Sequence, residues 1–293
     1  MMLKKNDAIS FRSKRNKKLI HTTKIASFYL ILLIVILMIV LPFAWMLSTS
    51  FKGVEAIRTI PIRWIPENPT FDNYKKIFNM SSYNFWRAGF NSFYLAVTCT
   101  IVSVLSATMA AFVFSKIEFR GREKLFMVYL ATMMIPTTVI MIPNYTILNH
   151  LHLLDTFTGL ILMSLNNTFG VFLMRQAMMG VSNAYLEAAL MDGATLRQIF
   201  IKIMLPMTKP TLFTLILMNF MGSWNSYLQP LLVLSSNDKQ TLQLVLATLN
   251  GQLKGKENIT MAGAVISILP IVVVYVIVQK YIDQGLEIGG IKG

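Results

Sequence analysis

Six stretches free of Asp, Glu, Lys, Arg and His run along the chain, at residues 25–47, 90–114, 125–142, 157–174, 211–234 and 259–279. A helix rises about 1.5 Å per residue, so ~20 apolar residues cross the hydrocarbon core of a bilayer. In lipid a helix satisfies its own backbone polar groups, which makes it the natural form for such stretches. The pattern predicts an all-α membrane protein with six transmembrane helices. Its 14% charged residues are well below the roughly one quarter usual in soluble domains. The third and fourth stretches are short and carry Pro136 in one and Asn166, Asn167, Thr168 and Gly170 in the other. Such residues suit helices packed inside a bundle, where neighbours satisfy freed polar groups.

The net charge of +14 could indicate nucleic acid, but its placement argues otherwise. Eight of the 27 Lys and Arg precede the first apolar stretch, within residues 1–24. There they hold the N-terminus on the cytoplasmic side, and no nucleic-acid partner is expected. With the N-terminus inside, the inner segments hold 18 basic residues and the outer ones 9. The bias predicts a multi-pass membrane protein with both termini cytoplasmic. Residues 1–24 then form a basic cytoplasmic segment, 25–281 a single transmembrane domain and 282–293 a cytoplasmic tail. The 23 residues of the first stretch exceed the 7–15 of a signal-peptide core, and no small-residue cleavage site follows closely, so that helix is expected to be retained. The single cysteine, Cys99, allows no intrachain disulfide.

Two loops are long. Residues 48–89 contain Pro61, Pro66 and Pro69 and should be extended before turning helical near residues 73–78. Residues 175–209 read instead as two short helices. Residues 185–191 form the first, with Ala188 and Ala189 small enough for close approach. Gly193, after Asp192, permits the positive φ of a sharp reversal. Thr195 and Gln198 form a capping-box pattern for a second helix over 196–204, which Pro206 and Pro210 end. Such a helix–turn–helix offers a knob to a cytoplasmic partner, and its plain alternative is a loop resting on lipid headgroups.

The segment EAALMDGATLRQIFIKIMLP, from Glu187 to Pro206, resembles the signature of permeases of binding-protein-dependent ABC importers. That signature is E-A-A, three residues, G, nine residues, I-x-L-P. Glu187, Ala188, Ala189, Gly193, Ile203, Leu205 and Pro206 occupy its fixed positions. Similarity to the carbohydrate-importing branch covers most of the chain: WIPENPTFDNYKKIF, NSFYLAVT, FSKIEFRGREK, MIPNYTILNHLHLLDT, WNSYLQPLLVL and GLEIGGIKG. Within it the chain looks like the smaller permease of a maltose or multiple-sugar pair. It departs at Val181-Ser182-Asn183, where the family commonly has a proline, and at Tyr185, where many relatives are acidic. Ser and Asn can cap a helix themselves.

The resemblance implies a complex in the bacterial inner membrane, made of two different permease chains, two copies of a cytoplasmic ABC ATPase and an extracytoplasmic solute-binding protein. The loop 185–206 would dock on the ATPase, with Glu187, Ala188, Ala189, Asp192, Gly193, Ile203, Leu205 and Pro206 as its coupling residues. ATP and Mg would be used by that partner, and no cofactor or metal is expected on this chain. The residues agree. Gly251 and Gly255 are one residue too close for a phosphate-binding loop, and no Ser or Thr follows Lys256. His150 and His152 lack the further ligands a metal needs. No enzyme activity is expected.

The spans carry no Asp, Glu, Lys, Arg or His, whereas ion-coupled carriers commonly place such residues at depth. That argues for an uncharged substrate and against an ion-gradient-driven secondary carrier, the alternative from another class. The polar residues at depth are Asn166, Asn167 and Thr168 in the fourth stretch, and Asn219, Ser223, Trp224, Asn225 and Tyr227 in the fifth. Amides offer donors and acceptors to sugar hydroxyls, and an aromatic face packs on a sugar ring. Asn166, Asn167, Asn219, Trp224, Asn225 and Tyr227 are therefore the candidate substrate-path residues. Asn and Ser also join transmembrane helices, and Trp gathers near headgroups. The expected cargo is a neutral sugar or oligosaccharide, or alternatively a polyol or glycerol-derived solute.

Overall fold

Caps and prolines set where the helices begin and bend in the computed structural model, which describes residues 3–57, 59–80, 83–252 and 256–289. Of residues 3–20, 22, 23, 252 and 283–289 it describes the backbone alone. Most side chains of the basic N-terminal segment, Gly255 of the glycine-bearing loop and the last four residues of the tail therefore lie outside the description.

The first apolar stretch lies in α1 (Leu3–Ser50), and the one-turn α2 (Val54–Ile57) follows. The proline-bearing segment ends at α3 (Asp72–Phe78), close to where the sequence turns helical. Asn84 caps α4 (Phe85–Lys116) by accepting from the Arg87 amide. Then come α5 (Arg122–Ala131) and α6 (Thr137–His150), and α7 (Phe157–Met163) and α8 (Thr168–Met179). After α9 (Asn183–Met191), the helix α10 (Leu196–Ile199), a π-helical turn (Phe200–Met204) and α11 (Leu205–Met207) run on without a break. Last are α12 (Lys209–Trp224), α13 (Leu228–Val233), α14 (Leu242–Gln252) and α15 (Glu257–Gly289).

Three helical segments, Lys24–Ser50, Phe85–Lys116 and Glu257–Ile282, are long and apolar enough to cross a membrane, and three further pairs qualify together although bent. The expected third stretch is thus not one helix: α5 and α6 diverge by 99°. Pro136 lacks an N–H and disfavours a helical Ile135, which is extended at ψ 116°. The fourth stretch bends by 45° between α7 and α8, which moves Asn166 and Asn167 from mid-helix into a break. The fifth is interrupted at residues 225–227, and α13 carries its remainder. The run Leu196–Met207 meets α12 at 84°.

Helix α4 is the central post. It packs on α8 and α12, while α12 and α1 each pack on α15. One buried cluster joins α4 and α8 to the α9–α10 loop through Phe112, Val171, Met178, Leu186 and Ile199. A second joins α4 and α12 to α14 and α15 through Phe85, Phe220, Trp224 and Val245. The apolar side chains of α1 from Phe28 to Leu41 are exposed, which suits a helix facing lipid.

Polar clasps hold the loops. Past α1, Asn73 Nδ2 donates to the Ser50 and Lys52 carbonyls at 2.8 Å each, and Asn258 Nδ2 donates to Asn73 Oδ1 at 2.7 Å. Lys52, 1% exposed, donates to the Arg63 carbonyl at 2.5 Å, and burial lowers its pKa. Asp155 accepts from the Ser236 hydroxyl and amide, from Lys239 and from the Ser235 amide. These bonds, those from Ser236 foremost, hold its carboxyl well below the usual carboxylate range.

Candidate functional site

Two neighbouring cavities open where the bent helices part. One, of about 360 Å³, is lined by α4, α12 and the α7–α8 break; the other, of about 580 Å³, lies against the α5–α6 bend. They share Met163, Asn166, Asn167, Phe169 and Gln229. Each has the size of an ordinary small-molecule site. No residue lining either cavity is charged; Ser103, Ser164, Asn166, Asn167, Asn219 and Ser223 are among the polar residues of the first.

Three of those polar groups tie one another. Asn167 Nδ2 donates to Ser103 Oγ at 2.8 Å and to Asn219 Oδ1 at 2.9 Å, and Ser103 Oγ donates to the same Asn219 oxygen at 2.9 Å. Asn219 Nδ2 donates back to the Leu215 carbonyl at 2.8 Å. The knot joins α4, α8 and α12. Asn167 also caps α8: its Oδ1 accepts from the Gly170 amide at 2.7 Å. A Cβ on Gly170 would stand 2.7 Å from that amide group, so the cap requires glycine there.

Asn166 differs from its neighbour. Its Oδ1 accepts from Tyr129 Oη at 3.2 Å and Thr168 Oγ1 at 3.4 Å. Its Nδ2 has no hydrogen-bond partner among the described residues, and the side chain borders both cavities. Asn167 and Asn219 hold the fold together, while Asn166 keeps donors to offer.

The other three candidates stand apart. Trp224, 3% exposed, points into the second buried cluster, where Nε1 donates to the Ser267 carbonyl at 2.9 Å. Asn225 and Tyr227 are exposed in the break after α12 and line neither cavity. The amide-and-hydroxyl pattern marks a polar site but cannot show which way a side chain faces around a break. Ser103, on α4, belongs to the knot and escaped sequence reasoning because one serine in an apolar helix carries no signal.

The loop from α8 to α12 has its own geometry. Ser182 caps α9, accepting from the Ala184 amide at 3.3 Å. At the far end the Gly193 amide donates to Leu190 O and the Ala194 amide to Ala189 O. This Schellman turn needs a left-handed residue, and Gly193 has φ +77°. Thr195 and Gln198 close a capping box on α10. Leu186 and Ile199 face the core; Ala189, Ile203 and Leu205 are partly buried against it, and Glu187, Ala188, Asp192, Gly193 and Pro206 are exposed. Tyr185, Leu190 and Met191 are 54%, 50% and 88% exposed at the tip.

Two cations fasten this region: Lys116 of α4 holds the loop, and Arg175 holds the end of α8 to α4 and α5. Lys116 Nζ donates to Val181 O at 2.6 Å and Asn183 Oδ1 at 2.7 Å. Arg175, nearly buried, pairs with Glu123 at 2.7 Å, donates to Phe114 O at 3.1 Å and packs 4.1 Å above the Phe126 ring. By sequence Arg175 is only one of the inner basic residues.

Bent apolar helices around an uncharged cavity, with an anchored helical loop, define a multi-pass membrane transport subunit. Residues 102–288 match the family described as "Binding-protein-dependent transport system inner membrane component", and the chain belongs to it. The arabinooligosaccharides transport system permease protein AraQ of Halalkalibacterium halodurans is 34% identical over 87% of this chain and 91% of its own length. The protein of the same name from Bacillus subtilis is 35% identical over 78% of this chain and 81% of its own length. The crystal structure of a bacterial ABC transporter importing the acidic polysaccharide alginate includes a chain that superposes with a TM-score of 0.76. The two are 28% identical, and the match covers 86% of this chain and 94% of that one. The family resemblance carried by Glu187–Pro206 is thereby confirmed.

Proposed function

We propose that this chain is one permease of an ATP-driven importer and lines half of the route for a neutral sugar or oligosaccharide. The uncharged, amide-lined cavity carries the reading: such groups exchange hydrogen bonds with hydroxyls without the desolvation cost of a buried charge. The sugar systems of its relatives support it. The three long helical segments, the bent pairs α5–α6 and α7–α8, and α12 continued by α13 make six spans. The loop 185–206 docks on a separate ATPase, which binds ATP and Mg, and its exposed Tyr185, Leu190 and Met191 make an apolar contact. A different second permease, a second ATPase copy and an extracytoplasmic binding protein complete the machine. Uptake that stops on ATP depletion but survives an uncoupler fits this reading; the opposite result identifies a secondary carrier.

Uptake of labelled oligosaccharide tests the site. Asn166→Ala is expected to lower uptake severalfold at near-wild-type abundance, because it removes the free donors and only two long hydrogen bonds, leaving the Asn167 cap and knot in place. Asn167→Ala removes a helix cap, costing about 0.5–2 kcal/mol, and should lower abundance and uptake together. Normal uptake by both variants would exclude this cavity as the path.

Both termini are placed in the cytoplasm, on the 18-to-9 basic bias. A reporter active only in the cytoplasm should work when fused after Gly180 or Gly293 and fail near Asn79 or Asn237. Activity at Asn79 would overturn the topology.

A further inference from the structure

Two lysines meet on one pair of aromatic rings where α12 begins and the apolar run of α15 ends. Phe213 and Tyr281 stack with centroids 4.1 Å apart and planes 14° apart. The Lys209 ammonium lies 4.6 Å from the Tyr281 centroid and 5.9 Å from that of Phe213, and the Lys280 ammonium lies 4.9 Å from Tyr281. Both lysines are exposed, and neither forms an ion pair among the described residues.

Sharing a ring keeps the two cations within about one Debye length, ~10 Å at 0.1 M salt, so they repel. The ring quadrupoles offset only part of that repulsion, by about 0.5–1 kcal/mol at an exposed site. A bridging anion offsets more. Depth selects which anion: each lysine abuts the apolar run of its helix, with a tyrosine between them, as at a membrane–water interface.

We propose that Lys209 and Lys280, with Phe213 and Tyr281, hold the headgroup phosphate of an anionic phospholipid. A choline or ethanolamine headgroup would bring a third cation to the pair, whereas a glycerol headgroup leaves the phosphate charge uncompensated. The rings lie beside the glycerol and upper acyl chain. The inference rests on the membrane-spanning reading alone and is independent of the solute carried.

The test is lipid binding to the full chain, purified with its complex in detergent and followed by native mass spectrometry, with phosphatidylglycerol and phosphatidylcholine as probes. The wild type is expected to retain phosphatidylglycerol preferentially. Lys209→Gln and Lys280→Gln should each weaken that binding about fivefold, and the double variant about thirtyfold. Lys124→Gln, at an exposed lysine elsewhere, should leave it unchanged, and a wild-type melting temperature of the double variant in phosphatidylcholine would show an intact fold. Undiminished phosphatidylglycerol binding by the double variant would overturn the site. It would indicate that the two charges are balanced within the chain, Asp283 being the acid nearest Lys280 in sequence. An equal loss in Lys124→Gln would overturn it too, by reducing the effect to general surface charge.

Discussion

Gly193→Val should abolish uptake while the chain remains in the membrane at near-normal abundance. Gly193 has φ +77°, and a Cβ there would meet nothing within 4 Å. The penalty therefore arises in the backbone, not from a clash. A β-branched residue in that region costs on the order of 1–3 kcal/mol. Opening the Schellman turn relieves it, and that frees the Ala189 and Leu190 carbonyls and tilts α9. The strain is too small to unfold a protein whose α4–α8 core is untouched, but it is large enough to misplace a docking surface. Gly193→Asn, which tolerates left-handed backbone, should retain part of the uptake. Uptake is read alongside recovery of the ATPase in detergent. Normal uptake by Gly193→Val with the ATPase still bound would mean that this loop does not couple the two.

Trp224→Ala should cause the largest loss of stability. Truncating a buried tryptophan typically costs about 3–5 kcal/mol. Here it also strips the Ser267 carbonyl of its donor and removes the ring stacked 6.1 Å from Phe220. Trp224→Phe keeps most of the apolar contact and should lose nearer ~1 kcal/mol, the worth of an ordinary hydrogen bond. Asn225→Ala and Tyr227→Ala, at exposed positions, should leave the melting temperature nearly unchanged. The check is membrane abundance together with thermal melting in detergent. A Trp224→Ala chain that melts like the wild type would overturn the packing role assigned to the indole.

Local chemistry was the legible part of the sequence. The capping box at Thr195 and Gln198, the left-handed glycine after Asp192 and the cap at Ser182 depend on neighbours a few residues away, so spacing alone reveals them. The apolar stretches likewise found the helices. The bends were less visible, because hydropathy is blind to a break that keeps the apolar composition. Pro136 signalled one. Nothing in Leu165, Asn166 and Asn167 distinguished a junction from the middle of a helix. The direction of Trp224 was hidden as well, since it is set by Ser267, 43 residues away on α15. The Arg175–Glu123 pair spans 52 residues and is invisible to periodicity for the same reason.

The uncharged lining of the two cavities bears on the electrical behaviour of transport. Each elementary charge carried through the membrane field is worth about 2.3 kcal/mol per 100 mV. A neutral solute passing neutral walls moves none of it. The amides that join α8 and α12 in the knot carry no net charge, so their displacement would move no elementary charge. If the solute is neutral and the importer ATP-driven, as proposed, import is electrically silent: its rate then follows the ATP supply and ignores the resting voltage, so a cell with a collapsed potential still feeds.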